Sequence, residues 1–274
     1  MVKLVSVLVA ALCHGYGFRM QQGAPKGFGV QRGWCDYFEE CFLVEELPIV
    51  GFLNNPAARL VNRTKATRIA ATQLMRLLAK KPVPIFYRDF NTQLEFINQD
   101  VFGADVDFWH AASQVLDIIW RPSPEVSSEI KAHAALLGLE SGGYQAMHIR
   151  RGDKRTEMTL PDLSEFSSAA NAGLPTGALL YICGDDLGAI EAVSAKLRAD
   201  IRLVVSHHSR PSGYDQTNFN ELPASLRYQE TIGMLNDLEV LCGAASIIGS
   251  LKSNVLGLVR MRRPDKPILE VCGV

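Results

Sequence analysis

This 274-residue sequence lacks several signatures, and each absence excludes a class of protein or site. It has no P-loop, the glycine-rich segment that ends in Gly-Lys followed by Ser or Thr, so that type of phosphate site is excluded. Its six cysteines form no CxxC pair and no Cys/His spacing typical of zinc ligands, so no metal site is predicted. The formal net charge of -1 argues against a general nucleic-acid-binding protein, because such proteins are usually basic.

The sequence also has no apolar run long enough to span a membrane as a helix. The apolar segment 4–12 is shorter than the roughly 20 residues that a bilayer requires. A short signal peptide and a buried first helix both fit this segment, and the poor small-residue cleavage pattern at residues 12–14 favours the helix. The lone glycosylation sequon at residues 62–64 is weak evidence of secretion, so the compartment is left open.

After residue 143, apolar runs of strand length alternate with helical patterns. The apolar runs cover residues 144–149, 178–183, 201–206, 246–249 and 268–272. Apolar residues at helical spacing lie between them, at 187–197 and 232–241. Alternation of this kind predicts a parallel sheet with helices on both faces.

The first half of the chain is less regular. A buried helix is predicted at residues 3–13, a short strand at 18–20 and an amphipathic helix at 57–80. Residues 115–119 fit either a strand or a helix. The aromatic and acidic segment 34–42 is interpreted as a surface helix with an aromatic anchor, with the wall of an acceptor pocket as the alternative.

A proline-containing break at Arg121 to Pro124 marks the predicted domain boundary. It divides the chain into an N-terminal domain, residues 1–122, and a C-terminal domain, residues 123–274. A helix at residues 125–138 is predicted to lead into the second domain, because its apolar residues recur at helical spacing.

Polar clusters follow three of the predicted strands, at residues 150–157, 184–186 and 249–253. Open parallel sheets bind ligands beyond the carboxyl ends of their strands, so these clusters are predicted to form a ligand site. If the strand that leads into the first cluster alternates regularly, His148 and Arg150 project to the same face of the sheet. The charged residues of this cluster are Arg150, Arg151, Asp153, Lys154, Arg155 and Glu157.

The first cluster contains complementary groups for anion binding and catalysis. Arg150 and Arg151 can hold a diphosphate through forked donors. Lys154 can neutralise a phosphate leaving group, and Glu157 suits a general base that accepts a proton from a hydroxyl nucleophile. A solvated charged loop is the alternative interpretation of the stretch taken alone.

The other two clusters have simpler alternatives. Asp185 and Asp186 can orient a ligand or cap the next helix, and capping is favoured. Ser250 and Ser253 precede a predicted helix, where hydroxyls and backbone N–H groups bind anions, although capping alone is favoured in isolation. His207 and His208 are predicted to be surface or rim residues and not metal ligands, because no partner stands at ligand spacing.

Three ordered motifs resemble a known enzyme family. The segment from His148 to Lys154, His-Ile-Arg-Arg-Gly-Asp-Lys, resembles the HxRRxDK signature of the α1,6-fucosyltransferases, a family that includes the nodulation fucosyltransferases and is related to the protein O-fucosyltransferases. Residues 179–186 resemble the family's next strand with its Asp-Asp turn. Asp237 and Ser253 stand at the spacing of its last motif, and residues 8–42 resemble its first segments more loosely.

The resemblance implies an α/β protein of GT-B type with two Rossmann-like domains, the N-terminal one on the acceptor side and the C-terminal one binding the donor. It implies inverting transfer of fucose from GDP-fucose to a hydroxyl of a glycan or glycoprotein, with no metal or other cofactor. Transfer of another nucleotide-linked sugar, and a non-catalytic relative that binds a GDP-sugar or a glycan, are the alternatives.

The resemblance also assigns roles by motif. Arg150 is expected to contact the diphosphate, and Ser253 the β-phosphate. The expected catalytic residues are Glu157 as base, Lys154 at the leaving group, and Arg150. The expected donor-binding residues are His148, Arg150, Arg151, Asp153, Asp185, Asp237, Ser250 and Ser253, with His148 and Asp237 at the nucleotide.

Two departures from the family pattern accompany the resemblance. The family has one more residue between the lysine and its glutamate than separates Lys154 from Glu157. It also begins with a strand and a glycine-rich turn, whereas this chain starts almost at the first helix, which implies a truncated N-terminal domain or a reduced relative. The Golgi or secretory lumen is expected for a eukaryotic member, and the cytoplasm for a bacterial or viral one.

Overall fold

The structure, a computed structural model, describes part of the chain in two compact units, Met1–Ser123 and Pro124–Val274. The predicted helix at 57–80 lies outside the described residues, as do Asp153, Lys154, Arg155 and Glu157. The described residues are 5–6, 8–9, 12, 17–20, 33–39, 41–43, 49–51, 85–86, 97, 99–152, 159–208 and 213–272.

The first unit contains a four-stranded sheet in the order β2-β1-β3-β4. Strand β1 pairs in parallel with β3, and β3 pairs in parallel with β4. Strand β2 is antiparallel to β1, so this sheet is mixed. The strands are β1 (Gly17–Met20), β2 (Cys41–Leu43), β3 (Ile49–Gly51) and β4 (Ile85–Phe86).

The predicted N-terminal helix is confirmed at its described residues. Val5, Leu8, Val9 and Leu12 are helical and buried. Their spacing places them on one face of a helix, which is the face that the apolar side chains bury.

The aromatic segment after residue 33 is not the predicted surface helix. Gly33–Asp36 form a 3-10 helix, and the following residues Tyr37 and Phe38 are buried. The ring centroid of Phe38 lies 4.7 Å from that of Trp120, and Phe38 forms an antiparallel bridge with Pro122. Two consecutive buried aromatic residues cannot share the outer face of a surface helix, so Tyr37 and Phe38 pack inside the first unit.

Two helices complete the described part of the first unit, α1 (Gln99–Phe102) and α2 (Phe108–Ile119). Asp107 caps α2 by accepting a hydrogen bond from the backbone N–H of His110 at 2.9 Å. Residues 115–119 are therefore helical, which decides between the two alternatives that the sequence left open.

The second unit contains a five-stranded sheet in the order β7-β6-β5-β8-β9, and every neighbouring pair of strands is parallel. Each predicted apolar run contains one of these strands, which confirms the predicted parallel sheet. From β5 the chain proceeds outward in one direction through β6 and β7, and later in the other through β8 and β9. The strands are β5 (Gln145–Ile149), β6 (Leu179–Gly184), β7 (Arg202–Val205), β8 (Ile247–Gly249) and β9 (Ile268–Glu270).

Helices connect these strands. The predicted helix at 125–138 is confirmed as α3, while α4 and α6 were not predicted. No described helix of either unit is long and apolar enough to cross a membrane. The helices of the second unit are α3 (Pro124–Leu136), α4 (Leu163–Gly173), α5 (Leu187–Ser194), α6 (Gln216–Glu221), α7 (Ala224–Gly243) and α8 (Asn254–Arg262).

The central strands bury both of their faces, as strands of a parallel sheet covered by helices do. Met147 and Ile182 belong to an apolar cluster that includes Phe166 of α4 and Ile190 of α5. His148 alternates with Met147 and Ile149 and therefore projects to the opposite face. Other buried side chains of the central strands that project to this opposite face are Ala146, Tyr181, Cys183 and Ile247.

Candidate functional site

A small pocket lies beyond the carboxyl ends of β5 and β8. These two strands are neighbours, and the order of the sheet reverses direction between them. Open parallel sheets bind ligands at such a reversal, because the connecting segments diverge there and leave a crevice. The residues that line the pocket are His148, Arg150, Leu160, Pro161, Phe166, Ser250, Lys252 and Ser253.

His148, near the end of β5, contributes a neutral imidazole to this pocket. Burial lowers the pKa of His148 to about 3, and the nearby positive charge of Arg150 contributes a smaller part of this shift. Its Nδ1 atom is buried and has no hydrogen-bond partner among the described residues. A buried polar atom without a hydrogen-bond partner raises the free energy of the folded protein. A ligand group that bonds to this nitrogen would remove that penalty and so bind more tightly.

Arg150, the next pocket residue, is held in place by an acidic and an aromatic partner. Its Nη1 forms an ion pair with Oδ2 of Asp185, which follows β6. Oδ1 of the same carboxylate accepts a hydrogen bond from the backbone N–H of Arg151 at 2.7 Å. The guanidinium carbon lies 5.3 Å from the ring centroid of Tyr214. Both oxygens of the Asp185 carboxylate are therefore used to hold Arg150 and Arg151 in position.

Gly152 allows the chain to turn tightly after these arginines. Its φ is +29°, and a Cβ at this position would overlap the Asp185 carboxylate and the backbone of Tyr214. Only glycine fits such a close approach without displacing its neighbours. The turn at Gly152 is thus packed directly against the Asp185 carboxylate that pairs with Arg150.

The serine turn between β8 and α8 forms the other wall of the pocket. The backbone N–H of Ser253 donates to the carbonyl of Ser250 at 2.9 Å, which closes the turn. Ser253 Oγ accepts from the backbone N–H of Val255 at 3.2 Å and caps α8, as the simpler interpretation predicted. A hydroxyl that accepts one bond retains its own proton to donate, so capping leaves the anion-binding prediction open. Ser250 is also buried and lines the pocket.

Asp185 and Asp186 have separate functions in the structure. Asp186 caps α5, because its Oδ1 accepts from the backbone N–H of Ala189 at 3.0 Å. The favoured capping interpretation is confirmed for Asp186, whereas Asp185 binds Arg150 and Arg151.

Asp237 is not among the residues that line this pocket. Its Oδ1 accepts hydrogen bonds from Tyr181 Oη at 2.6 Å and from Ser206 Oγ at 2.8 Å. Burial raises the pKa of Asp237 to about 6, against the opposing effect of these two hydrogen bonds. The structure therefore brings His148, Arg150, Ser250 and Ser253 together and places Asp237 in a different polar cluster.

Two histidines join Asp237 in that cluster. One ligand atom each of His133, His208 and Asp237 lies within 4.8 Å of the other two. His208 is exposed, as predicted, but its grouping with His133 and Asp237 was not predicted, because the three residues are far apart in the sequence. No spacing rule could have grouped them, since their proximity depends on how α3, α7 and the end of β7 pack.

Asp153, Lys154 and Glu157 follow the arginines but lie outside the described residues, so their predicted roles stay predictions. Tyr214 and Lys252 were not predicted, and both belong to the site. Lys252 is exposed and lines the pocket, and Tyr214 lies beside the guanidinium of Arg150. Lys252 could have been found in the sequence, because it lies within the serine cluster after β8.

The chain consists of two α/β units, and the second is built on a fully parallel sheet with a pocket at its reversal point. Its fold is GT-B-like. The nodulation fucosyltransferase NodZ shares it. The crystal structure of NodZ α-1,6-fucosyltransferase soaked with GDP-fucose matches with a TM-score of 0.53 at 14% identity, over 98% of this chain and 89% of that chain. The structure co-crystallised with GDP matches with a TM-score of 0.52 at 14% identity, over 98% and 89%.

The structure of fucosyltransferase NodZ from Bradyrhizobium matches with a TM-score of 0.53 at 14% identity, over 98% of this chain and 90% of that chain. No protein-family model matches the sequence, and no curated protein matches it significantly. At this level of identity the likeness establishes the α/β fold, and the chemistry has to be argued from the site itself.

Proposed function

We propose that this chain is a glycosyltransferase that transfers fucose from GDP-fucose to a hydroxyl of a glycan or glycoprotein, with inversion at the sugar carbon and without a metal. The observation that carries the proposal is the pocket at the reversal point of the second sheet. It combines a guanidinium, a neutral imidazole and a serine turn at a helix start. The NodZ structures with GDP and GDP-fucose have the same fold, which supports this choice of donor.

The donor diphosphate is proposed to bind between Arg150 and Ser253. A guanidinium offers several N–H donors in one plane, so its ion pair with Asp185 is compatible with phosphate binding. The start of α8 adds the partial positive charge of a helix N-terminus to the Ser253 hydroxyl. His148 lines the same pocket and would contact the nucleotide through its ring. The proposed contact of Asp237 with the nucleotide rests on the family resemblance alone.

The transfer step is a displacement at the anomeric carbon of fucose. The acceptor oxygen forms the new glycosidic bond as the bond from that carbon to the β-phosphate oxygen breaks, and GDP leaves. Glu157 is proposed to accept the acceptor's hydroxyl proton, and Lys154 and Arg150 to stabilise the charge that develops on GDP. Cationic side chains placed at the leaving group can supply this stabilisation themselves, which is why no metal is proposed.

A non-catalytic protein that binds a GDP-sugar or a glycan is the second candidate. The ion pair between Arg150 and Asp185 favours it, because a neighbouring carboxylate reduces the positive charge available to a leaving diphosphate. The two candidates differ in turnover, since only the transferase would release GDP.

Release of GDP from GDP-fucose, measured with a panel of glycans and without acceptor, tests the proposal. The transferase account predicts turnover by the wild type and at least a roughly hundredfold loss in Glu157→Gln, because general-base catalysis contributes about that much. GDP binding without turnover across the panel would support the second candidate. Turnover with another nucleotide sugar but not with GDP-fucose would reject fucose as the transferred group.

A further inference from the structure

The polar cluster of His133, His208 and Asp237 lies outside the pocket proposed for the donor. His133 belongs to α3 and Asp237 to α7, while His208 follows β7. One ligand atom from each side chain lies within 4.8 Å of the other two. Two imidazoles and a carboxylate from three separate elements thus meet at one point, and none of them is among the described residues that line the pocket of His148.

Asp237 is oriented as a metal ligand would be. Tyr181 Oη and Ser206 Oγ both donate to its Oδ1, at 2.6 Å and 2.8 Å. Two donors on one oxygen fix the plane of the carboxylate, and its second oxygen can then coordinate an ion. Hydrogen bonds of this kind behind a ligand hold it in position and strengthen metal binding.

His133 has an unsatisfied ring nitrogen within this cluster. Its Nε2 is buried and has no hydrogen-bond partner among the described residues. The ring centroids of His133 and His208 are 5.4 Å apart, with the ring planes inclined by 37°. A buried imidazole nitrogen without a partner lowers stability, and coordination of a metal ion would satisfy it.

The surroundings of His208 provide room for its ring beside Asp237. Gly233 lies one helical turn before Asp237 on the same face of α7, and a Cβ on Gly233 would lie 2.5 Å from His208 Nδ1. The backbone N–H of His208 donates to Ser206 Oγ at 3.2 Å, and that hydroxyl is also bonded to Asp237. The position of His208 is therefore linked to that of the carboxylate through Ser206.

We propose that His133, His208 and Asp237 form a binding site for a divalent transition metal ion, with Zn²⁺ as the preferred ion. Neutral imidazole and carboxylate are common zinc ligands, and three protein ligands leave a coordination position for water or another molecule. Ligand atoms of tetrahedral zinc lie roughly 3.3 Å apart, so binding draws the three side chains together, and the exposed His208 is the one with most freedom to move.

The ion would connect α3, α7 and the end of β7, so its expected effect is on the stability of the second unit. Metal binding to a folded site contributes to folding free energy. Tyr181 and Ser206 are positioning residues in this proposal, because they act on the metal through Asp237. The proposal shares only Asp237 with the proposed sugar transfer, and the residues that line the donor pocket are different ones.

The test is a zinc titration of the full-length, chelator-treated protein in competition with a chromophoric zinc indicator. The wild type should bind one equivalent of Zn²⁺, and thermal unfolding should shift to higher temperature with added Zn²⁺. Asp237→Asn, which preserves size, should weaken binding by at least about a hundredfold. Ser206→Ala should weaken it roughly ten- to a hundredfold, and Ser206→Thr, which restores the hydroxyl, should recover it.

A matched control is His110→Ala. His110 is exposed in the first unit and makes a 2.7 Å contact with Asp107, and this histidine–aspartate pair does not belong to the group of His133, His208 and Asp237. This variant should bind Zn²⁺ as the wild type does. Unfolding of each variant in the presence of chelator checks that the substitution has not simply disrupted the fold.

Substitution with Co²⁺ identifies the ligand atoms. Nitrogen and oxygen ligation predicts visible absorption bands without a thiolate-to-cobalt charge-transfer band, and the spectrum should be lost in Asp237→Asn. A thiolate band would assign the ion to one of the cysteines and overturn the proposal. Absence of saturable one-to-one binding, or equal affinity in the wild type and in Asp237→Asn with both proteins folded, would overturn it as well.

Discussion

The pocket beyond β5 and β8 joins a neutral buried imidazole to a guanidinium that already has an anionic partner. His148 in β5 and Arg150, one residue beyond the end of that strand, both line the pocket. The position of Arg150 is fixed by Asp185 and Tyr214, and neither contact was predicted from the sequence. Preorganised groups of this kind lose little conformational entropy when a ligand binds.

The buried imidazole makes a specific prediction for stability as a function of pH. Burial lowers the pKa of His148 to about 3, whereas an unfolded histidine titrates near 6.5. The unfolded state therefore binds the extra proton, and stability falls as pH decreases from about 6.5 toward 3. Between pH 7 and pH 5 one such histidine removes roughly 2 kcal/mol from the free energy of unfolding.

Urea unfolding of the wild type and His148→Asn at both pH values measures this effect. The wild type should lose roughly 2 kcal/mol more than the variant, because asparagine does not titrate. Equal losses in the two proteins would mean that His148 is protonated in the folded state. The comparison between the proteins cancels groups such as Asp237, whose raised pKa acts in the opposite direction.

At the scale of single elements, strands were easier to predict from the sequence than the contacts made by helices. The five apolar runs each overlapped a strand, and β5, β6 and β8 are continuous apolar runs because they are buried on both faces. Helix α4 was missed, because its largest fully buried side chain is Phe166 and most of its other residues are small or polar. Its capping box of Asp162 and Glu165 was the signal that could have revealed it.

The turn after β5 depends on glycine at one position. Gly152→Ala should destabilise the protein through both its positive φ and the overlap with Asp185 and Tyr214. Gly142 is a matched control, because its φ is +79° and a Cβ there would meet no atom within 4 Å. Gly142→Ala should cost about 1–2 kcal/mol, and Gly152→Ala roughly 1–3 kcal/mol more.

Equilibrium denaturation of the two glycine variants measures the difference. Similar losses in Gly152→Ala and Gly142→Ala would contradict the close packing of the turn against the ion pair. Gly152→Ala should also bind GDP more weakly, because the added Cβ displaces the Asp185 carboxylate, which is the partner of Arg150.

Helix α8 allows its capping and anion-binding roles to be separated. Aspartate caps a helix about as well as serine, and its charge is favourable at a helix start, so Ser253→Asp should retain the stability of the wild type. The same carboxylate would repel a diphosphate in the pocket, and GDP affinity should fall by at least about tenfold. Calorimetric binding and thermal unfolding of this variant provide the two measurements, and unchanged GDP affinity would limit Ser253 to capping.

At the scale of the whole molecule, the GT-B-like α/β fold was predictable, and the contacts between distant polar residues were not. Strand–helix alternation and two of the three polar clusters located the edge of the second sheet at which the pocket lies. The separation of Asp237 from the pocket and its grouping with His133 and His208 depend on tertiary packing. A sequence motif indicates which residues are candidates for the site. It does not predict the hydrogen bonds from Tyr181 and Ser206 that hold Asp237 in position.

The central claim, that the pocket beyond β5 and β8 binds the diphosphate of a GDP-sugar, is tested most directly by calorimetry with GDP and GMP. Arg150→Ala should weaken GDP binding by at least about a hundredfold and GMP binding much less, because the β-phosphate is the group in question. Arg262→Ala is the control, since it removes another partly buried arginine whose Nη1 lies 2.6 Å from Glu239. The account predicts wild-type GDP affinity in Arg262→Ala and its loss in Arg150→Ala, and equal GDP affinity in wild type and a folded Arg150→Ala would contradict it.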